Sequence, residues 1–179
     1  MPCWPSPSCS GGNPRDLYLA ASRGVRQDDR PVDRARLLLL HRYRWPTGTT
    51  RSVRNQEIRR WPGGNMDPGE TPWECAVREC REESGIVFEG ERRLLGMQFL
   101  VKNAAWPTNQ IGFIFDGGTL RDEQIKNIVL DPKEHTEVCV RTLDEWEREM
   151  TPRNFAQLRE IDAGRRAGTV AFMEEGAQQ

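Results

Sequence analysis

The sequence predicts one domain of the α/β class, either α+β or a sandwiched α/β/α arrangement, and three observations carry that prediction. Its 179 residues suffice for one sizeable hydrophobic core and are few for two. Apolar strand-like segments alternate with segments that carry helix-start signals. These segments follow each other without a regular strand–helix–strand repeat, and no internal repeat is visible, which favours a mixed rather than a regularly alternating architecture.

The two ends of the chain differ in composition from the rest. Residues 1–14 contain four prolines and no charged side chain, a composition that buries little apolar surface, so we expect a disordered lead. The remainder, residues 15–179, is expected to form the single domain, with a loose tail after about residue 168.

The first half of the domain predicts two strands and a loop. Leu17 to Val25 and Arg34 to Trp45 are apolar enough for strands, and the second contains the run Leu37 to Leu40. Residues 46–58 are polar and rich in turn formers. Pro-Gly-Gly at 62–64 and Pro-Gly at 68–69 predict breaks around a short extended link.

The clearest helix follows this link. Thr71 and Glu74 form a capping-box pattern with Pro72 at the first helical position. Gly85 is a typical C-terminal stop. The helix should therefore run from about Pro72 to Ser84, with Trp73, Ala76, Val77 and Cys80 on its buried face.

The second half predicts further strands and two more helices. Strands are expected around residues 86–102, at 109–116 before a turn at Gly117 and Gly118, and at 138–141. One helix should begin at the capping box Thr142 to Glu145. Another should begin at Thr151-Pro152, with Phe155, Leu158 and Ile161 on one stripe.

Charge and cysteine content exclude several protein classes. The net charge is only −1, which argues against non-specific nucleic-acid binding through phosphate neutralisation. No apolar run approaches the roughly 20 residues of a membrane span, and no secretory signal is visible. Five cysteines without a CxxC pair predict neither a disulfide framework nor a thiolate zinc site, and a cytoplasmic location is the default.

Three glutamates of the predicted helix lie on one side of it. Glu79, Glu82 and Glu83 are spaced i, i+3 and i, i+4, so their like charges repel by a few tenths of a kcal/mol per pair. A hard divalent cation such as Mg²⁺, which takes oxygen ligands, would relieve this repulsion. A solvated acidic face is the alternative that the spacing alone leaves open.

Gly64, Glu70 and the run from Arg78 to Ile86 form a wider pattern, and that pattern resembles the Nudix box. Gly64, five residues, Glu70, seven residues, and then Arg78-Glu79-Cys80-Arg81-Glu82-Glu83-Ser84-Gly85-Ile86 agree with that motif at every fixed position. Cys80 is the one soft departure, because an aliphatic residue is usual there; we interpret it as core packing. We expect the resemblance to cover residues 15–165, and it implies an α/β/α sandwich with a mixed sheet.

The resemblance implies a chemistry and a set of residues. Nudix enzymes hydrolyse a diphosphate linked to another group, with Mg²⁺ or Mn²⁺ as cofactor. By similarity, Glu79, Glu82 and Glu83 would be metal ligands together with the backbone carbonyl of Gly63. Arg78 would orient Glu79 through a charged hydrogen bond, and Glu70 would brace the loop onto the helix.

The general base and the substrate stay open at this point. The base is either Glu79 or a glutamate of a later loop, for which Glu134 and Glu137 are candidates. For a nucleotide-type substrate, Trp106 and Phe113 are candidates for an aromatic wall, and Arg60 for contact with phosphate. Core packing and a solvated loop are the alternatives for these three residues, and no subfamily signature identifies the nucleoside diphosphate derivative.

Two further possibilities come with the resemblance. One is a non-catalytic Nudix-fold module that senses or binds a nucleotide; such relatives usually have eroded box glutamates, and here the glutamates are intact. The other concerns assembly, since dimers are frequent in this family and a homodimer is therefore compatible with it. No membrane partner is expected.

Overall fold

Six strands and four helices make up the described part of the chain, which in this computed structural model comprises residues 17–22, 34–44, 61–102, 108–130 and 137–175. The strands are β1 (Leu17–Ser22), β2 (Arg34–Arg44), β3 (Leu94–Leu100), β4 (Gln110–Arg121), β5 (Glu137–Thr142) and β6 (Ala171–Glu175). The helices are α1 (Pro72–Ser84), α2 (Asp122–Lys126), α3 (Leu143–Glu149) and α4 (Pro152–Ala167).

The strands form one mixed sheet in the order β5-β1-β2-β4-β3-β6. The pairs β1/β2 and β3/β6 are parallel, whereas β1/β5, β2/β4 and β3/β4 are antiparallel. A parallel pair needs a crossover between its strands, and an antiparallel pair can be joined by a short turn. The mixed sheet expected from the sequence is confirmed.

Helices cover both faces of this sheet. Helix α1 packs on β2 and β4, α3 on β5, and α4 on β3 and β6. Consecutive strand residues point to opposite faces: Ile114 belongs to the hydrophobic cluster of α3 and α4, and its neighbour Phe115 to the cluster of α1. We call these two sets the α4-side core and the α1-side core. The α/β/α sandwich is therefore confirmed.

Helix α1 begins and ends where its caps require. The hydroxyl of Thr71 accepts from the backbone N–H of Glu74 at 3.3 Å, and the Glu74 carboxylate accepts from the N–H of Thr71 at 2.8 Å. Gly85 closes the helix with φ 70°, a left-handed conformation that glycine adopts without steric cost. The prediction of a helix from Pro72 to Ser84 is confirmed, as are the starts of α3 and α4 behind Thr142 and Thr151.

Strand β4 corrects the expected turn at Gly117 and Gly118. The strand continues to Arg121 and takes three steps, from Asp116 to Thr119, where β2 takes two steps, from Arg36 to Leu38. Gly118 has φ 75° and donates its N–H to Asp116 Oδ1 at 2.9 Å. The glycine pair is thus a bulge within a strand rather than the end of one, since glycine accommodates the extra residue.

Strand β6 corrects the expectation of a loose tail from about residue 168. Ala171 to Glu175 pair in parallel with Gly96 to Leu100 of β3, and Met173 joins the α4-side core. A segment of five residues is too short for its sequence pattern to predict a strand. It forms a strand here because it pairs with β3. Helix α2 was not predicted either, because it is short and contributes no buried residue.

Some expectations lie outside the described residues: the disordered lead at 1–14 and the loop at 46–58. Within the described part of the chain, no helix is both long and apolar enough to cross a membrane.

Candidate active site

Helix α1 presents two different surfaces. Ala76 and Cys80 are fully buried in the α1-side core, as the helical period predicts for them. Burial raises the pKa of the Cys80 thiol to about 11, so Cys80 packs as a small apolar group. On the other surface, the side chains of Glu79 and Glu82 are 16% and 51% exposed, and Glu83 is 8% exposed.

Arg78 connects the loop before α1 to the glutamates on it. Its Nε and Nη2 donate to the two carboxylate oxygens of Glu70 at 2.8 and 3.0 Å. Its Nη1 donates to Glu79 Oε1 at 2.9 Å and to Glu82 Oε2 at 3.0 Å. Nη2 also reaches the carbonyl oxygen of Asn65 at 3.2 Å. The planar guanidinium with its fork of donors is the side chain that can hold several acceptors at once.

Glu70 locks the loop in return. Its carboxylate accepts the fork of Arg78 and also the backbone N–H of Asp67 at 2.9 Å. The hydrogen bonds from Arg78, opposed by partial burial, lower the pKa of Glu70 to about 2. Glu70 is therefore an anion at neutral pH, and its contacts join the loop to the helix, as the resemblance implies.

Two glycines bring the backbone against the carboxylates. The N–H of Gly63 donates to Glu83 Oε2 at 2.9 Å, and Gly63 has φ 154°. A Cβ on Gly64 would lie 2.3 Å from Glu79 Oε1 and 2.5 Å from its carboxyl carbon. Only glycine leaves room at position 64 for Glu79 to keep this place.

Glu79 is the carboxylate with the least favourable surroundings. Burial raises its pKa, the hydrogen bond from Arg78 lowers it, and the charges of Glu83 and Glu82 raise it again. The net direction is upward, so the anionic form of Glu79 is incompletely compensated by the protein alone.

The donor chemistry of this surface fits a hard divalent cation. Carboxylate and carbonyl oxygens are the ligands that Mg²⁺ prefers, and an added cation would compensate the charge that burial leaves on Glu79. Among the described side chains, however, no three carboxylates, thiols or imidazoles are already grouped as a metal-binding set. In this arrangement Arg78 bridges Glu79 and Glu82, and Gly63 holds Glu83.

The structure brings together one part of the predicted site. Arg78 bridges Glu79 and Glu82, and Gly63 donates to Glu83. The adjacent Gly64 lies against Glu79, so the Gly63-Gly64 backbone relates the two sets of contacts. Phe113 lies half-buried in β4 and packs against the α1-side core, so it contributes to packing under the helix. The other predicted residues are outside the described part of the chain: Arg60, Trp106, Glu134 and the side chain of Glu137.

Sequence reasoning overlooked Trp61. Its side chain is 8% exposed and belongs to the α4-side core with Trp146, Leu158 and Ile161. It stands directly before the Pro62-Gly63-Gly64 link whose glycines contact Glu83 and Glu79. The signal available in the sequence was a large aromatic residue next to a strong breaker, which is costly to leave exposed.

Comparison with known proteins agrees with this geometry. A family model described as the NUDIX domain matches residues 25–161, more than half of the 179 residues. The match contains the loop, α1 and most of α4. No curated protein sequence matches the chain. The structure agrees with this match, since a glycine loop lies against the glutamates of a capped helix on a mixed sheet. We conclude that this chain belongs to the Nudix family.

Proposed function

We propose that this protein is a Mg²⁺-dependent hydrolase that cleaves the diphosphate linkage of a nucleoside diphosphate derivative. Nudix domains hydrolyse phosphorus-containing anhydrides in general. The observation that carries the finer proposal is the close approach of Gly64 to the Glu79 carboxylate. Glycine at position 64 leaves the space beside the loop that the partly buried Glu79 carboxylate occupies.

The proposed metal ligands are Glu79, Glu82 and Glu83 with the carbonyl of Gly63, and Mn²⁺ is an alternative to Mg²⁺. When bound, such an ion neutralises phosphate charge and increases the acidity of a water molecule. The Arg78 guanidinium positions the carboxylates of Glu79 and Glu82, and the N–H of Gly63 positions the carboxylate of Glu83.

The chain itself supplies the proton acceptor. We assign that role to Glu79, because burial raises its pKa and a carboxylate with a raised pKa is a better base near neutral pH. The attacking water would lose its proton to a Glu79 carboxylate oxygen while its oxygen bonds to phosphorus, and the bond from phosphorus to the bridging oxygen breaks. Glu134 and Glu137 are the alternative acceptors.

Three further residues complete the proposal on the substrate side. Phe113 and Trp106 would contact the base of a nucleotide-type substrate, because aromatic faces stack on bases. Arg60 would contact a phosphate through its guanidinium. Phe113 packs against the α1-side core, to which Ala76 and Cys80 of α1 belong, and this supports its place near the helix that carries the glutamates.

The test is hydrolysis of a panel of nucleoside triphosphates, ADP-ribose, nucleotide sugars, dinucleoside polyphosphates and capped RNA with Mg²⁺. We expect at least one member to be cleaved at a diphosphate linkage. Glu79→Gln should lower kcat on that member by about 10²- to 10⁴-fold, and a chelator should abolish turnover. Glu160→Gln, which removes an exposed carboxylate of α4, is the matched control and should retain parental activity.

The result that would contradict the proposal is a panel without product, or a Glu79→Gln variant as active as the parent. Tight nucleotide binding in calorimetry together with absent hydrolysis would instead support the sensing module.

A further inference from the structure

We propose that Trp61 is a positioning residue that holds Gly63 and Gly64 against Glu83 and Glu79, so that packing in the α4-side core sets the geometry of the carboxylates on α1. This inference rests on the proposed function for its catalytic meaning. The positioning role itself is inferred from the burial of Trp61 in the α4-side core and from the contacts of Gly63 and Gly64 with the glutamates of α1.

Trp61 and the glutamates belong to opposite sides of the sheet. Trp61 belongs to the same buried cluster as Trp146 of α3 and Leu158 and Ile161 of α4. Helix α1 lies on the other face, where Ala76 and Cys80 pack with Phe115 and Val140. The residues Cys139 and Val140 are consecutive in β5 and belong to different clusters, as alternation along a strand requires. The chain therefore passes from one layer to the other directly after Trp61.

The link between the two layers is short and stiff. Two steps separate Trp61 from Gly63 and three separate it from Gly64, and three residues span at most about 10 Å. Pro62 is buried, and its ring fixes φ near −65°. A link this short transmits a displacement of the indole to Gly63, because only Pro62, whose φ is fixed, lies between them.

The glycines carry that displacement directly to the site. Gly63 donates its N–H to Glu83 Oε2 at 2.9 Å. Gly64 leaves no room between its Cα and the Glu79 carboxylate. A shift of the link by even 1 Å would break the first contact and change the second, since hydrogen bonds weaken steeply beyond their usual distance.

The test uses Trp61→Leu, Trp61→Phe and a matched control in the same core. Leu158→Ala removes a side chain with 0% exposure from the α4-side core and leaves the indole and the residues of the link unchanged. The first readout is amide hydrogen exchange at Gly63 in metal-free protein, measured by NMR. We expect Trp61→Leu to accelerate this exchange at least about 10-fold, and Leu158→Ala to leave it within about 3-fold at a comparable loss in Tm.

The second readout is the Mg²⁺ dissociation constant from calorimetry. Loss of an outer positioning contact typically costs about 10- to 100-fold in metal affinity. We expect about 10-fold weaker binding for Trp61→Leu, binding close to the parent for Leu158→Ala, and an intermediate value for Trp61→Phe, whose ring fills part of the same space. If Trp61→Leu does not fold, Trp61→Phe decides the question, with a smaller change in the same direction.

The inference would be overturned if Trp61→Leu and Leu158→Ala accelerated amide exchange at Gly63 equally. It would also be overturned if neither Trp61 variant changed that exchange. A parent that binds no Mg²⁺ and hydrolyses no member of the panel would refute the proposed function. The exchange comparison needs neither metal nor substrate, so it would still decide the role of Trp61.

Discussion

At the scale of single residues, the site depends on one arginine and two glycines more than on any one glutamate. Arg78 holds Glu70, Glu79 and Glu82 through three nitrogen donors. Gly63 and Gly64 place the backbone against the same carboxylates. The glutamates supply the charge, and these neighbours determine where that charge is held.

Gly64→Ala is the sharpest test at this scale. The new Cβ would collide with the end of the Glu79 side chain, 2.3 Å from Oε1, and a flexible side chain can move away at little cost to the fold. We therefore expect kcat to fall by about 10²-fold, because misplacement by 1 Å is enough for such a loss. The free energy of unfolding should change by less than about 1 kcal/mol.

Gly168→Ala is the matched control for that variant. Gly168 ends α4 with φ 71° and has nothing within 4 Å of an added Cβ. An alanine there is strained by about 1 to 2 kcal/mol, so stability should fall while kcat stays parental. The opposite outcome, with Gly64→Ala active and strongly destabilised, would show that the glycine serves the fold and not Glu79.

At the scale of elements, the loop before α1 and the helix behave as one unit. The capping box at Thr71 fixes where the helix begins, and the Glu70–Arg78 pair ties the loop to the second turn of the helix. These two connections determine the position of the glutamates relative to Gly63 and Gly64. Helix propensity favours the helix but does not determine where it lies relative to the loop.

The Glu70–Arg78 pair predicts a pH dependence of stability. The pKa of Glu70 is lowered from 4.5 to about 2 in the folded protein. Stability contributed by a lowered carboxylate pKa is fully present above the ordinary value and is lost as pH falls through the folded value. Glu70→Gln should therefore be about 2 kcal/mol less stable than the parent at pH 7, and the difference should vanish between about pH 4.5 and pH 2.

Chemical denaturation of parent and variant across this range is the measurement. Glu160→Gln removes an exposed carboxylate of α4 and should stay within about 0.5 kcal/mol of the parent throughout. A Glu70→Gln deficit that stays constant from pH 7 to pH 2 would mean that the loss comes from packing rather than from charge.

At the scale of the whole molecule, the C-terminal strand completes the core on which Trp61 rests. Met173 of β6 is 9% exposed and packs in the α4-side core, whereas its neighbour Phe172 is 66% exposed. The strand thus contributes one face to the core and leaves the other outside it, as a period of two requires. The segment expected to be a loose tail contributes to the stability of the sandwich.

The two neighbours in β6 provide a matched pair. Met173→Ala should lower the free energy of unfolding by about 2 to 3 kcal/mol, because it removes buried methylenes and leaves a cavity. Phe172→Ala should lower it by less than about 1 kcal/mol, since an exposed side chain loses little on truncation. Thermal or denaturant unfolding measures both, and equal losses in the two variants would mean that β6 does not pack as described.

The chain by itself determined the elements whose signals are local. Helix α1 is specified by Thr71, Pro72, Glu74 and Gly85, all within one short segment, and the carboxylates follow from the period of that helix. The family box and the α/β/α class also follow from order and spacing along the chain. Each of these conclusions depends on neighbours in sequence, which is why no coordinates were needed for them.

Only the tertiary structure decided the features that depend on distant neighbours. β6 exists because β3 offers it an edge, and Gly117-Gly118 is a bulge because β2 pairs on either side of it. The role of Trp61 requires the α4-side core, which is assembled from α3, α4 and four strands. The physical reason is the same in each case: burial and pairing are properties of the partner surface, and the partner lies many residues away.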